Sequence, residues 1–162
     1  MTRYALTDHE SVEIITATAQ ELLVEVRYLP GTTPPPLHSH PSQTERFEVL
    51  DGTLAVTIGS EERLLLPGQE LEIPAGTVHR MWNPDQVQTL ARWSTTPAMR
   101  TESWFSRISG LHERHATGLL DLAVAAREYR DVFVPAVRPA FLAGPAMATL
   151  AAIGRMLGRG KA

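Results

Sequence analysis

The stretch PLHSHPSQTERFEVLDG, residues 36–52, contains two histidines two positions apart and a glutamate five positions after the second one. Side chains two positions apart in a β-strand point to the same face, so His38 and His40 can direct their imidazoles at one point. Glu45 lies at the start of an alternating run that predicts the next strand. The stretch fits either a metal site built on strands or a polar turn before an ordinary strand.

A second polar block, GQELEIPAGTVHRMWN at residues 68–83, supplies a third histidine. His79 follows a Pro-x-Gly turn, where a strand is expected to begin, and can therefore join the first two histidines. The chain contains no cysteine, so nitrogen and oxygen atoms must hold any metal. Three imidazoles and one carboxylate suit one divalent transition metal ion, with iron, manganese, nickel, cobalt, copper and zinc as the candidates.

Short strand patterns follow one another up to about residue 96. In QELLVEVRYL, residues 20–29, side chains alternate with the period of a strand that has two different faces. Further patterns are SVEIITAT, RFEVL, TLAVTI, ERLLL, LEIP, VHRMW and VQTLARW, separated by turn formers such as Asp51-Gly52 and Pro67-Gly68. Many short strands without helices between them predict an all-β sandwich or barrel.

From about Thr101 the pattern changes to that of helices. Residues 117–133 place apolar side chains along one helical stripe that ends at Pro135, namely Leu119, Leu122, Ala123, Ala126, Tyr129, Val132 and Phe133. The last stretch, from residue 144, is apolar and starts with Pro145, but it is too short and interrupted to span a bilayer. We expect it to pack on the barrel or at a subunit interface, with an amphipathic helix lying on a membrane as the alternative.

Composition restricts the possible partners and location. A chain of 162 residues with 43% hydrophobic side chains is the size of one domain with a real core. The formal net charge of −3 gives a polyanion nothing to bind, so a nucleic-acid partner is not expected, and a membrane partner is not favoured. The N-terminal residues lack the apolar core of a signal peptide, which predicts a cytoplasmic location.

Taken together, the two polar blocks resemble the two motifs of the cupin superfamily. The first motif, a glycine, a His-x-His pair, a glutamate and another glycine, is matched by Gly31, His38, His40, Glu45 and Gly52. The loop between Gly31 and His38 is one residue longer than is usual in the family. The second motif is matched without a gap by Gly68, Pro74, Gly76, His79 and Asn83.

The resemblance implies a fold and a division of the chain. Cupins are β-barrels of the double-stranded β-helix or jelly-roll type, and we expect one over residues 1–98. Residues 99–162 resemble the C-terminal helical extension of some small bacterial cupins and would pack on the barrel or on a dimer partner. A homodimer is expected on the same grounds.

The resemblance also assigns roles to individual residues. The metal ligands would be His38, His40, Glu45 and His79. Structural roles in turns and strand ends would belong to Gly52, Gly68, Pro74, Gly76 and Asn83. Glu48 lies off the face that carries Glu45, so we interpret it as an outer-face charge and not as a catalytic acid.

Four protein ligands around an octahedral metal leave up to two positions for water, dioxygen or substrate. Alternation directs further side chains into the same interior, either as an apolar, aromatic-lined substrate pocket or as plain core: Tyr28, Phe47, Met81 and Trp93. We therefore expect a mononuclear metal-dependent enzyme acting on a small apolar or aromatic molecule, with Glu45 as both ligand and catalytic proton acceptor. Dioxygenase-like oxidation stands ahead of isomerisation, cyclisation or decarboxylation, and a non-enzymatic cupin that binds a small ligand is the alternative.

Overall fold

The computed structural model describes residues 1–31, 34–136 and 143–159. The strands are β1 (Arg3–Ala5), β2 (Glu10–Ala17), β3 (Leu22–Tyr28), β4 (His38–Ser39), β5 (Thr44–Asp51), β6 (Leu54–Ile58), β7 (Glu61–Leu65), β8 (Glu70–Ile73), β9 (His79–Trp82), β10 (Thr89–Thr96) and β11 (Val134–Pro135). The helices are α1 (Thr101–Glu113), α2 (Leu119–Glu128) and α3 (Ala143–Met156).

These strands form two antiparallel sheets. One sheet has six strands in the order β1-β2-β3-β10-β5-β8, and the other has five in the order β11-β4-β9-β6-β7. The strand patterns of the sequence correspond to β2, β3 and β5 to β10, so the prediction of a mostly β fold with a C-terminal helical extension is confirmed. The short strands β1 and β11 were not predicted.

The inner faces of the two sheets share one hydrophobic core. Along β3, Leu22, Val24, Val26 and Tyr28 are buried, while the residues between them are partly exposed. Burying a side chain of valine or leucine size contributes about 1.5–3 kcal/mol. Burial of these apolar side chains is therefore the main contribution that holds the two sheets together around the site described below.

Two motif glycines occupy backbone conformations that other residues adopt only with strain. Gly52 has a φ of 76°, and a Cβ added there would lie 2.6 Å from the Gln88 carbonyl oxygen. Gly76 also has a φ of 76°, and its N–H donates to the His40 carbonyl at 2.8 Å. Positive φ favours glycine, so both residues have the structural role expected of them.

The prediction that the second helix continues through Phe133 is wrong at the C-terminal end of that helix. Helix α2 ends at Glu128, and the amides of Val132 and Phe133 both donate to the Tyr129 carbonyl at 2.9 Å. This turn sends the chain back to the barrel, where residues 134–135 form β11 beside β4. Pairing with a sheet edge thus overrides the helical pattern.

Helix α2 buries Ala123 and Ala126 of the predicted stripe but leaves its leucines exposed. Leu119 and Leu122 are 68% and 39% exposed, whereas Val124 is buried. Helix α3 packs on α2, where a Cβ added to Gly154 would lie 2.8 Å from Val124. Residues 137–142 and 160–162 of the predicted extension lie outside the described residues. No helix within the described ranges has the length and apolar character needed to cross a membrane.

Glu10 carries a carboxyl group on the inner face of β2. The strand predicted from the sequence began one residue later and did not include it. It lies on β2 directly opposite Tyr28 of β3 and shares a face with buried Val12. Burial raises the pKa of Glu10 from 4.5 to about 7. Glu10 therefore keeps a proton in the folded protein at pH values where the unfolded chain would release it.

We expect the substitution Glu10→Gln to reduce the pH dependence of stability. Because the folded pKa exceeds the unfolded one, the contribution of the carboxyl group to stability is complete below about pH 4.5 and is lost as the pH rises through about 7. Between these values the free energy of unfolding should fall less in the variant than in the wild type, by on the order of 1–3 kcal/mol in urea titrations. Glu13→Gln, on the other face of β2, is the control. Parallel curves for Glu10→Gln and the wild type would contradict the expectation.

Candidate metal centre

The predicted ligands converge because of the way their strands are arranged. Strand β4 pairs with β9, and His38 lies directly opposite His79 in that pairing. His40 follows β4, and its hydrogen bond with Gly76 ties it to the turn before β9. Glu45 lies on β5 of the other sheet and reaches the histidines from there. The structure thus brings all four predicted residues together.

The four side chains form a compact, buried cluster. One ring nitrogen from each histidine lies within 4.8 Å of those of the other two. Nε2 of His40 is 3.2 Å from Oε1 of Glu45, and Nε2 of His79 is 2.9 Å from Oε2 of Glu45. His40, Glu45 and His79 are 6%, 1% and 1% exposed. Water therefore has little access to the atoms that face one another.

Hydrogen bonds to the backbone fix which nitrogen each imidazole presents to this cluster. In each ligand histidine, Nδ1 contacts a backbone carbonyl oxygen at hydrogen-bond distance. The carbonyls are those of Pro36 for His38 at 3.2 Å, Val132 for His40 at 2.5 Å and Thr77 for His79 at 2.8 Å. Because a carbonyl oxygen can only accept, Nδ1 carries a proton in each ring, which leaves Nε2 available to a metal.

Several atoms at the centre of the cluster lack hydrogen-bond partners in the described part of the chain. These atoms are Nε2 of His40, Nε2 of His79 and Oε2 of Glu45, and all three are buried. Neutral imidazole nitrogens beside a carboxylate place lone pairs against lone pairs, which is costly away from water. A cation between them removes this cost, and nitrogen and oxygen donors suit a first-row divalent metal. The residues present therefore fit a metal ion.

The ionisable groups of the cluster shift one another's pKa values. Burial, reinforced by the charges of His79 and His40, lowers the pKa of His38 to about 3. Burial opposes ionisation of Glu45, but His40 and His79 outweigh it, so the pKa of Glu45 lies below its ordinary value. Burial also disfavours the charged form of His79, but Glu45 outweighs it and raises the pKa of His79. Electrostatic contacts within the cluster thus counteract the effect of burial at Glu45 and at His79.

A comparison with known families matches the motif region. The family model described as Cupin domain covers residues 24–93, a range that includes all four residues of the cluster. This region of the chain is a cupin domain. Cupins commonly bind a metal and small-molecule substrates, and the histidine cluster of this cupin can hold a metal.

The cupin is similar over short stretches to two fungal proteins named as oxidoreductases. It is 44% identical to oxidoreductase iacF of Pestalotiopsis fici over 62 residues, which are 37% of this chain and 30% of that protein. It is 43% identical to an oxidoreductase of Arthrobotrys oligospora over 49 residues, 30% of this chain and 19% of that protein. The chain thus spans less than a third of the length of these relatives, and the likeness to bacterial cupins stays a prediction.

A solved structure supports the fold independently of these stretches. An RmlC-like cupin from Shewanella frigidimarina NCIMB 400 superimposes with a TM-score of 0.56 over 62% of this chain and 87% of its own. Its sequence is 13% identical, so the likeness concerns the fold alone.

The four residues predicted to line a substrate pocket all belong to the hydrophobic core. Tyr28, Phe47, Met81 and Trp93 are 2%, 0%, 8% and 9% exposed. Trp93 stacks on Phe47 with 5.4 Å between ring centroids, and its Nε1 donates to Oε1 of Glu45 at 3.0 Å. The hydroxyl group of Tyr28 is buried and has no hydrogen-bond partner among the residues that the structure describes. Trp93 therefore contacts the cluster directly, and Tyr28 adds a free polar atom to the interior.

Glu48 and Gln43 take contrasting positions beside the ligands. Glu48 pairs with Arg92 at 3.1 Å on the outer face, in agreement with its interpretation as an outer-face charge. Gln43, which sequence reasoning missed, is 1% exposed, and its Nε2 donates to the Pro97 carbonyl at 2.8 Å and to Thr101 Oγ1 at 2.8 Å. It thereby fastens the loop between His40 and Glu45 to the start of α1. The sequence indicated Gln43 only by its polar side chain and its position between two predicted ligands.

Two residues of the extension also reach the ligands and were missed. The Val132 carbonyl accepts the hydrogen bond of His40, and the Phe133 ring stacks on His38 at 4.8 Å. Sequence reasoning had assigned both to a helical stripe. No signal could have found them, because a backbone carbonyl is the same in every residue and an apolar ring does not indicate its partner.

We expect Trp93→Phe to destabilise the protein more than Trp82→Phe does. Both tryptophans are buried, at 9% and 8% exposure, and both substitutions remove the same volume. Only the first removes the hydrogen bond to Glu45, and a hydrogen bond to a charged group contributes about 1.5–3 kcal/mol. Urea unfolding of the metal-free proteins measures the difference. Equal losses in the two variants would show that the indole of Trp93 acts by packing alone.

Proposed function

We propose that this cupin is a mononuclear metal-dependent enzyme, with His38, His40, Glu45 and His79 as ligands of one divalent transition metal ion. One observation carries the proposal: buried imidazole nitrogens face the Glu45 carboxylate at 2.9–3.2 Å, and Nε2 of His40, Nε2 of His79 and Oε2 of Glu45 have no hydrogen-bond partner among the described residues. Such an arrangement calls for a cation. Iron, manganese, nickel, cobalt, copper or zinc fits the donor set.

The metal and Glu45 would have different roles in catalysis. When bound, the metal would supply Lewis acidity and open positions at which dioxygen or substrate is activated. Glu45 would be both ligand and proton acceptor, and its two oxygens offer different environments for these roles. Oε1 accepts the hydrogen bond of Trp93 at 3.0 Å, whereas Oε2 has no hydrogen-bond partner within the described ranges. With Glu45 only 1% exposed, a proton moved there would not be lost directly to bulk water.

The interior favours a small apolar or aromatic substrate. The predicted pocket residues supply mainly apolar and aromatic surface. Arg27, Arg46 and Arg92 lie on strands of the six-stranded sheet, and each pairs with a glutamate on the outer face. These arginines offer no anchor for an anionic substrate inside the protein, so sugar acids and organic acids are less well supported.

Oxidation by dioxygen is the reaction we place first. The two fungal proteins that this chain resembles are both named oxidoreductases, although the matches cover 62 and 49 residues. Isomerisation, cyclisation and decarboxylation can use the same kind of open metal site and come next. The cytoplasmic location and the homodimer also stay predictions.

A non-enzymatic cupin that binds a small ligand is the second candidate. The observation that favours it is the dense packing around the cluster. The predicted pocket residues are at most 9% exposed, and Phe133 covers one face of His38. A metal with a closed, tetrahedral set of ligands would suit binding without catalysis.

We expect His40→Ala and Glu45→Ala each to remove most of the bound metal from a folded protein, since each withdraws a donor atom from the cluster. Glu48→Ala is the matched control, because its side chain lies on the outer face of the strand that carries Glu45. Elemental analysis of protein purified without a histidine tag measures the metal content, and circular dichroism verifies the fold. Stoichiometric metal in folded His40→Ala would overturn the ligand assignment.

Dioxygen uptake separates the two candidate functions. We expect the metal-loaded protein to consume dioxygen with at least one member of a panel of small aromatic compounds, and Glu45→Ala to have lost this activity. The redox-active metals among the candidates are the ones to load. Tight metal binding without any uptake would favour the binding protein.

A further inference from the structure

Residues 129–136, here called the strap segment, run from the end of α2 across the metal motif. Val134 and Pro135 pair with Ser39 and His38 in the antiparallel β11–β4 ladder. The amide of Ala136 donates to the Leu37 carbonyl at 2.8 Å. The strap segment therefore lies alongside the chain that carries the first two ligands.

Two residues of the strap segment touch those ligands. The Val132 carbonyl accepts from Nδ1 of His40 at 2.5 Å. The Phe133 ring lies against His38 with 4.8 Å between centroids and 24° between the planes. Its centroid is also 6.2 Å from that of His40. One hydrogen bond and one ring stack thus reach the cluster from the extension.

Helix α1 supports the strap segment from the other side. Trp104 stacks on Phe133 at 4.6 Å and 21°, so the phenyl ring is held between Trp104 and His38. Arg100 binds Asp131 through Nε at 2.9 Å and lies 4.7 Å over the Tyr129 ring. Phe133 is therefore fixed on both faces and cannot turn freely.

His38 needs such support more than the other ligands do. His38 Nδ1 makes a 3.2 Å hydrogen bond to Pro36, a residue of its own loop, whereas the bonds of His40 and His79 are 2.5 and 2.8 Å long. His40 and His79 are also buried, whereas His38 is half-buried. The ring plane of His38 consequently depends on what is stacked against it.

We infer that Phe133 is a positioning residue for the metal centre: its ring sets the plane of the His38 imidazole and thereby the affinity for metal. The inference rests on the proposed metal site and adds to it a contribution from the C-terminal extension. Residues that orient metal ligands typically change metal affinity by roughly 10–100-fold when they are replaced. The extension is thus part of the site and not an appendage to it.

The test is a titration of cobalt chloride into the metal-free full-length protein, followed by the visible absorption of bound Co²⁺. We expect Phe133→Ala to bind Co²⁺ roughly 10–100-fold more weakly, with a changed spectrum because the His38 nitrogen is displaced. Phe133→Tyr keeps the ring and should retain wild-type affinity and spectrum. Leu122→Ala, which truncates a 39% exposed apolar side chain of α2 in the same extension, is the control and should bind Co²⁺ as the wild type does.

The same titration of His40→Ala distinguishes a failure of the role of Phe133 from a failure of the proposed metal site. Loss of the site in His40→Ala with wild-type affinity and spectrum in Phe133→Ala would overturn the role of Phe133 and leave the metal site standing. Wild-type binding by His40→Ala would overturn the proposed site itself. If Phe133→Ala does not fold, Phe133→Leu replaces it, because leucine keeps apolar contact with Trp104 without a ring. Weakened binding by folded Phe133→Leu supports the inference, and wild-type binding contradicts it.

Discussion

The burial of acceptor atoms against one another is the constraint on which this structure depends. Two imidazole nitrogens and a carboxylate, from opposite sheets, meet at 2.9–3.2 Å with almost no access to water. A protein interior tolerates such a meeting only with a positive charge between the groups. The hydrophobic core brings the two sheets together, and a cation between them would compensate the polar side chains at their junction.

Each proposed ligand named here is oriented by a different part of the chain. His79 is oriented by the turn before its own strand, Glu45 by the indole of Trp93, and His40 by a carbonyl of the extension. Metal sites generally depend on such outer contacts as much as on the ligands. Here these contacts come from the barrel strands, the turns and the C-terminal extension. The geometry of the site therefore depends on all three parts of the described chain.

The sequence predicted the fold and the clustering of the ligands because both depend on short-range patterns. Alternation with a period of two located the strands, and the spacing around His38, His40 and His79 placed the histidines on neighbouring strands. It failed where long-range contacts overrule local preference. The helical stripe through Phe133 was a valid local pattern, but the pairing of β11 with β4 drew the chain out of the helix. Trp93 was predicted to face the interior, but its hydrogen bond to Glu45 depends on how β5 and β10 pair.

The hydrogen bond between His40 and Val132 spans 92 positions of the chain. Contacts between distant residues close large loops and form late, after local structure has already reduced the entropy cost. During synthesis, the strands that carry the four ligand side chains emerge before the residues that orient two of them. The alignment of these side chains is therefore complete only once the extension has been made and has packed on the barrel.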